Sequence, residues 1–262
     1  MDFGINGKRS LVLASSQGLG LGVATKLCEE GANVLLASRS QEQLAAAADA
    51  LTQNGPGKAD YVVADLTDSE SSKTLYSAAQ AKLGGVDILV NNTGGPPPGS
   101  ITDPDPDSWR AQIDTMLVRI IELTNHCLAD MKRAGWGRIL TITSSGVIQP
   151  IPGIAMSNTI RASLVGWNKT LSNEVAMHGI TANILAPGSI STARLQSLTA
   201  MDAEDAGVSI EEAEAEAFKS IPAGRFGTVE EFGAVGAFLC SAPASYVTGG
   251  VVRCDGGAIR SV

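Results

Sequence analysis

Apolar residues along the 262-residue chain fall into short runs separated by stretches of helical spacing. Leu11–Ala14, Ala32–Ala37, Tyr61–Ala64, Val86–Val90, Gly137–Ser144, Ile180–Ala186 and Val251–Cys254 read as strands. They are nearly continuous in apolar character rather than alternating, the pattern of strands covered on both faces. Between them, Val23–Cys28, the alanine-rich Glu42–Leu51, Trp109–Lys132, Ile160–Met177 and Val229–Cys240 have helical spacing. Asp65-Leu66-Thr67-Asp68 is expected to cap the helix after the third strand. Regular strand–helix alternation predicts a parallel sheet with helices on both faces and right-handed crossovers, a doubly wound three-layer α/β sandwich. No linker or repeat interrupts it, so residues 1–262 are expected to form one domain. Leu195–Ser220 differs in character: it is acidic and helix-prone, and it reads as a mobile lid-like insertion at about residues 190–222, the alternative being a solvated surface helix.

The stretch Ser10–Gly22 joins the first strand to a helix through Gly18 and Gly20. A strand, a glycine turn and a helix N-terminus together present outward N–H groups and the positive end of a helix dipole, a site suited to an anion. Taken alone, glycines at this spacing fit an ordinary strand-to-helix turn equally well. Gly18, Asp65, Asn92, Ser144 and Pro187 each follow a predicted strand, so a parallel sheet would collect them along one edge, where ligands bind in such folds.

Composition narrows the function classes. A net charge of −8 with no basic stripe argues against a nucleic-acid partner. No apolar run approaches the roughly 18 residues of a membrane span, and Met1–Arg9 lacks the apolar centre of a signal peptide. Cys28, Cys127, Cys240 and Cys254 are far apart without metal-ligand spacing, which predicts reduced thiols, a cytoplasmic protein and no metal site.

The motifs together resemble the short-chain dehydrogenase/reductase family, most closely its β-ketoacyl-carrier-protein-reductase-like branch, over essentially the whole chain. The resemblance rests on Ala14-Ser15-Ser16-Gln17-Gly18-Leu19-Gly20, on Asp65, and on Asn91-Asn92-Thr93-Gly94. Gly137-Arg138-Ile139 leading to Ser144, Pro187-Gly188 with Thr192, Gly224-Arg225-Phe226-Gly227 and Asp255-Gly256-Gly257 add to it. It implies a Rossmann-type fold and a nicotinamide cofactor. The glycine turn (Ala14, Ser16, Gln17, Gly18, Leu19, Gly20) would take the pyrophosphate, Asp65 with Leu66 the adenine, and Asn92, Thr93 and Gly94 the ribose. Pro187, Gly188, Ile190 and Thr192 would lie at the nicotinamide. An acidic residue after the second strand would select NAD. Ser38-Arg39-Ser40 stands there instead and favours the 2′-phosphate of NADP, although a plain surface arginine and use of NAD remain open.

The chain departs from the family where the chemistry is done. The family's Ser–Tyr–Lys set, with an Asn on the preceding long helix, maps onto Ser144, Ser157, Arg161 and Met116. Only the serine survives. An aliphatic hydroxyl is far less acidic than a phenol of pKa about 10, and a guanidinium does not relay protons. Arg161 is expected to keep contact with the cofactor ribose. Ala14 replaces the first glycine of the turn, and as a strand-end residue it is expected to need no positive φ. Tyr61, Tyr76 and Tyr246 fall outside the expected site, and His126 and His178 read as packed or surface residues.

Three functions fit these residues. One is an NADP(H)-dependent reductase or dehydrogenase of carbonyls or alcohols, with Ser144 and Ser157 on the substrate oxygen. A second is a cofactor-binding enzyme of non-redox chemistry, with Arg161 on an anionic substrate or enolate. A third is a non-catalytic protein that reads cofactor state. Trp109–Lys132 and Ile160–Met177 look apolar around much of their circumference, and with the resemblance this implies a homodimer or homotetramer.

Overall fold

A computed structural model describes residues 2–261. The elements run β1 (Arg9–Leu13), α1 (Gly18–Glu29), β2 (Asn33–Ser38), α2 (Gln41–Asn54), β3 (Ala59–Val63), α3 (Ser71–Leu83) and β4 (Ile88–Asn91). Then come α4 (Pro106–Ile113), a π-helical turn at Asp114–Val118, α5 (Arg119–Ala134), β5 (Gly137–Ile142) and α6 (Ala155–Val175). The chain closes with β6 (Ile180–Pro187), α7 (Ala193–Ala206), α8 (Ile210–Lys219), α9 (Val229–Leu239) and β7 (Val251–Cys254). The seven strands form one parallel sheet in the order β3-β2-β1-β4-β5-β6-β7. This is the doubly wound sandwich expected from the alternation of elements.

Two apolar layers hold it together, and strand periodicity divides them. Val12, Val34, Leu36, Ile88, Val90, Leu140 and Leu185 face one layer with Leu27 and Phe232 from the helices. Leu11, Leu13, Leu35, Leu89, Ile139 and Ala182 face the other with Leu75, Leu123 and Leu171. Alternate residues therefore enter opposite layers, both apolar, which is why the strands read as unbroken apolar runs. The chain runs outward from β1 to β3 and then returns to β4 on the other side of β1. Strand order reverses there, and in such sheets the ligand crevice lies beyond the carboxyl ends of the strands at that point, here β1 and β4.

Several boundaries differ from expectation for physical reasons. The predicted helix Trp109–Lys132 is α4, a π-helical turn and α5 in succession. The wider turn puts Met116 fully inside, packed with Met156, Ile160 and Trp109. The helix predicted from Ile160 begins at Ala155, so Ser157 and Arg161 stand in its first turns. Asp65 does not cap α3, whose N-cap is Glu70; its carboxylate accepts the Thr67 N–H at 3.0 Å and closes a local turn instead. The long helices keep a polar or small-residue face outside the core: α5 exposes Asn125, Lys132 and Arg133, and α6 exposes Thr159, Ala162, Ser163, Gly166 and Thr170. The acidic stretch forms α7 and α8, with Thr192 accepting the Leu195 N–H and Ser209 closing a capping box with Glu212.

Candidate active site

At the β1–α1 turn the chain must fold back sharply over its own strand. A Cβ on Gly20 would lie 2.5 Å from the Ala14 carbonyl and 2.9 Å from that of Leu13, so only glycine fits. Asn92 Nδ2 donates to the same Ala14 carbonyl at 3.3 Å, tying the ends of β1 and β4 together. Ala14 itself has φ +45°, alone among the described non-glycine residues in the left-handed region. The expectation that it needs no positive φ is therefore wrong: the turn demands a left-handed residue, and a Cβ there costs roughly 1–2 kcal/mol.

The turn suits a dinucleotide. Side chains cap α2, α4, α7, α8 and α9, whereas α1, like α3 and α6, has no side-chain acceptor at its N-terminus. The first turn of α1 also carries no acid. Its donors thus point outward with the helix dipole behind them. Gly94 faces open space, with nothing within 4 Å of an added Cβ, and at Gly18 an added Cβ would meet Thr192 alone, at 3.7 Å. Ser16 and Ser38 hydroxyls sit 3.0 Å apart beside the exposed Arg39. The Asp65 carboxyl is held below its usual range, first by the Thr67 N–H and also by the nearby Arg39 charge. Leu66 packs against the sheet, and Asn92 and Thr93 are largely buried beside Gly94. At the far end, Pro187 closes β6, Gly188 donates to the Cys254 carbonyl at 2.9 Å, and Ile190 is buried in a bridge to Gly227. A Cβ on Gly18 would touch Thr192, so β6 returns to the phosphate turn.

Ser144 ends β5, and its Oγ accepts the Gly146 N–H at 3.0 Å. A Cβ on Gly146 would collide with Asn158 Oδ1 and lie 3.3 Å from Ser144 Oγ, so this turn lies against the start of α6. Arg161, one helical turn after Ser157, donates from Nε to Ser157 Oγ at 3.3 Å. Its Nη1 donates to the Ile142 carbonyl at 3.2 Å, and Nη2 to those of Thr93 and Gly94 at 3.3 and 3.4 Å. The expected role of holding the ribose changes accordingly: the guanidinium is 7% exposed and mostly engaged by the backbone that lines the crevice. Desolvation, with the nearby charge of Arg194, lowers its pKa to about 10, so it stays charged at neutral pH.

No phenol replaces the missing one. Tyr61 lies on β3, Tyr76 stacks on His126 with ring centroids 5.6 Å apart, and Tyr246 is fully exposed. His178 lies in the turn before β6. Met116 fills the position of the expected Asn and brings no polar atom. The sequence reading overlooked Arg194, whose Nη2 donates to the Pro96 carbonyl at 3.1 Å. Its signal was a cation, unpaired among the described residues, at the start of the acidic segment that forms α7 and α8. The cysteines are free, and burial pushes the Cys127 and Cys240 thiols upward. Among the described residues no helix is long and apolar enough to cross a membrane.

A family model described as Enoyl-(Acyl carrier protein) reductase matches residues 13–258. The chain belongs to the short-chain dehydrogenase/reductase family. This short-chain dehydrogenase/reductase is 33% identical over 255 residues to D-beta-hydroxybutyrate dehydrogenase of Cupriavidus necator, covering 97% of this chain and 98% of that protein. It is 34% identical over 251 residues to 3-oxoacyl-(acyl-carrier-protein) reductase FabG of Salmonella typhimurium, covering 96% and 97%. The L-sorbose reductase of Gluconobacter frateurii, solved with NADPH and L-sorbose, superposes with a TM-score of 0.95 at 28% identity over 100% of both chains. The family is one of oxidoreductases, and the match to the L-sorbose reductase runs through the whole sheet, from β1 to β7.

Proposed function

We propose that the protein is an NADP(H)-dependent oxidoreductase of a carbonyl or alcohol substrate, working with an altered Ser144–Ser157–Arg161 site. The observation that supports it most is the β1–α1 turn, left uncapped and open at Gly18 where an anion would sit. The names of the relatives and the NADPH in the L-sorbose reductase structure point the same way. Arg39, with the Ser16 and Ser38 hydroxyls, presents donors to a 2′-phosphate and no acid to repel it. When bound, the nicotinamide supplies or accepts the hydride. The chain's own residues then handle the oxygen. Ser144 and Ser157 donate hydrogen bonds to it, and Arg161 holds the Ser157 oxygen and places a positive charge behind the growing oxyanion. The proton comes from water or from a substrate group, since neither an alcohol nor a guanidinium gives one up near pH 7.

Calorimetric titration with NADPH and NADH, followed by a panel of ketones with the tighter nucleotide, tests this. Binding of NADPH and oxidation of it by some carbonyl is expected; binding with no turnover across the panel would favour a cofactor-reading or non-redox role. We read α7 and α8 as a lid over the crevice and the protein as cytoplasmic. A homodimer or homotetramer through α5 and α6 fits the small side chains that α6 leaves exposed. Light scattering at micromolar concentration is expected to give at least twice the monomer mass.

A further inference from the structure

We infer that the substrate carries a carboxylate and that Arg194 binds it, an inference that rests on the reductase reading above. The loop after β4 is gripped by two arginines: Arg161 takes the carbonyls of Thr93 and Gly94, and Arg194 takes that of Pro96. Both thus bind the same short loop, and the Arg194 charge adds to the burial that lowers the Arg161 pKa. In a chain with 27 acidic and 19 basic residues, neither joins any of the nine ion pairs among the described residues.

A buried arginine without a carboxylate is not in itself a ligand site. Arg138 is as buried, donates to the carbonyls of Ser241, Gly137 and Gly179, and lies over Trp136. It holds the fold together and has no second cation beside it. Arg194 is different. It is exposed, and among the described residues Nε and Nη1 have no acceptor, so most of its donors face outward. It lies in the first turn of α7, where the helix dipole adds positive potential and no acid stands within a turn of it. The acids of α7 cluster at its other end, at Asp202, Glu204 and Asp205. The one other cation of the lid, Lys219, is paired with Glu216. The lid therefore turns a free planar guanidinium toward the loop that borders the crevice, the geometry that matches a carboxylate through two parallel hydrogen bonds. With Arg161 behind the loop, the mouth of the site favours an anion and disfavours a neutral compound of the same shape.

Calorimetry on the intact protein loaded with NADPH would compare short and aromatic 2-oxo and 3-oxo acids with their methyl esters. The expected result is that at least one acid binds about tenfold or more tightly than its ester. Arg194→Gln is expected to remove that preference and Arg194→Lys to keep part of it, with NADPH affinity changing by less than about threefold. Thermal unfolding of each variant would confirm that this exposed substitution leaves the fold intact. Equal affinity of acid and ester, failure of every acid to bind, or a preference that survives Arg194→Gln would overturn the inference. So would acids that bind only without NADPH and compete with it, because the anion would then occupy the phosphate turn. The readout does not depend on turnover. Discrimination between acid and ester without oxidation of NADPH would sink the reductase reading and leave the anion site standing.

Discussion

At the β1–α1 turn, Gly18 and Gly20 leave backbone donors bare, and the one intruding methyl group, on Ala14, strains the chain without blocking the surface. Across the sheet edge, around the start of α6, the proposed site keeps Ser144 alone of the polar side chains expected to act on substrate. On the proposed reading, Ser157 and Arg161 take the places of a phenol and an amine, and buried Met116 that of an amide. The two regions face the same crevice. The first binds through backbone and helix dipole, which tolerate side-chain change; the second works through side-chain pKa values, which do not. Binding can therefore outlast a drastic revision of the chemistry.

The comparison breaks most visibly if the lost groups are restored. Ser157→Tyr with Arg161→Lys is expected to raise kcat/KM for ketone reduction by a factor of about 10² to 10⁴, the usual contribution of a positioned general acid. No gain in steady-state assays would mean that the start of α6 is not where substrate sits. The cradle is tested next. Arg39→Ala is expected to weaken NADPH about tenfold and to leave NADH nearly unchanged, because an exposed guanidinium on a phosphate is worth on the order of 1–2 kcal/mol. Equal losses for both nucleotides would place Arg39 away from the 2′-phosphate.

A smaller effect is expected at the strained turn. Ala14→Gly relieves a left-handed alanine and should stabilise the protein by about 1 kcal/mol in denaturant unfolding, less the entropy glycine loses on folding. Destabilisation would show that the φ of +45° carries no cost here. The least change is expected in pH dependence. Arg161, with its pKa lowered to about 10, is protonated below that value. Its positive charge is thus constant from about pH 6 to 9, and kcat/KM should be flat there as far as this group is concerned, falling only as pH rises through about 10. The Tyr–Lys double variant should acquire a limb at lower pH. A limb near neutrality in the natural protein would reveal a proton donor other than Ser144, Ser157 or Arg161.

Much of the fold was legible because strands covered on both faces leave a plain apolar signature, and all seven strands lie within a few residues of expectation. Their order in the sheet has no signature in the apolar pattern and comes from the fold itself. Helix starts were less legible: α6 begins before Ile160 because Ala155-Met156-Ser157 is held by tertiary contacts, without a capping side chain at Ile154. The π-helical turn around Met116 has no composition signal of its own. Residue identity revealed the altered Ser157 and Arg161, but where the guanidinium points depends on the carbonyls of β5 and the Thr93–Gly94 loop, which only folding brings together. The φ of Ala14 was misread for a similar reason: it belongs to a turn that brings Gly20 close over the Ala14 carbonyl, which the identity of alanine does not reveal.

The most direct test of a retained cradle beside a revised catalytic row is one calorimetric titration of the natural protein with NADPH and with NADH. NADPH is expected to bind with a Kd on the order of micromolar and NADH at least about tenfold more weakly. Failure of both nucleotides to bind would contradict the account.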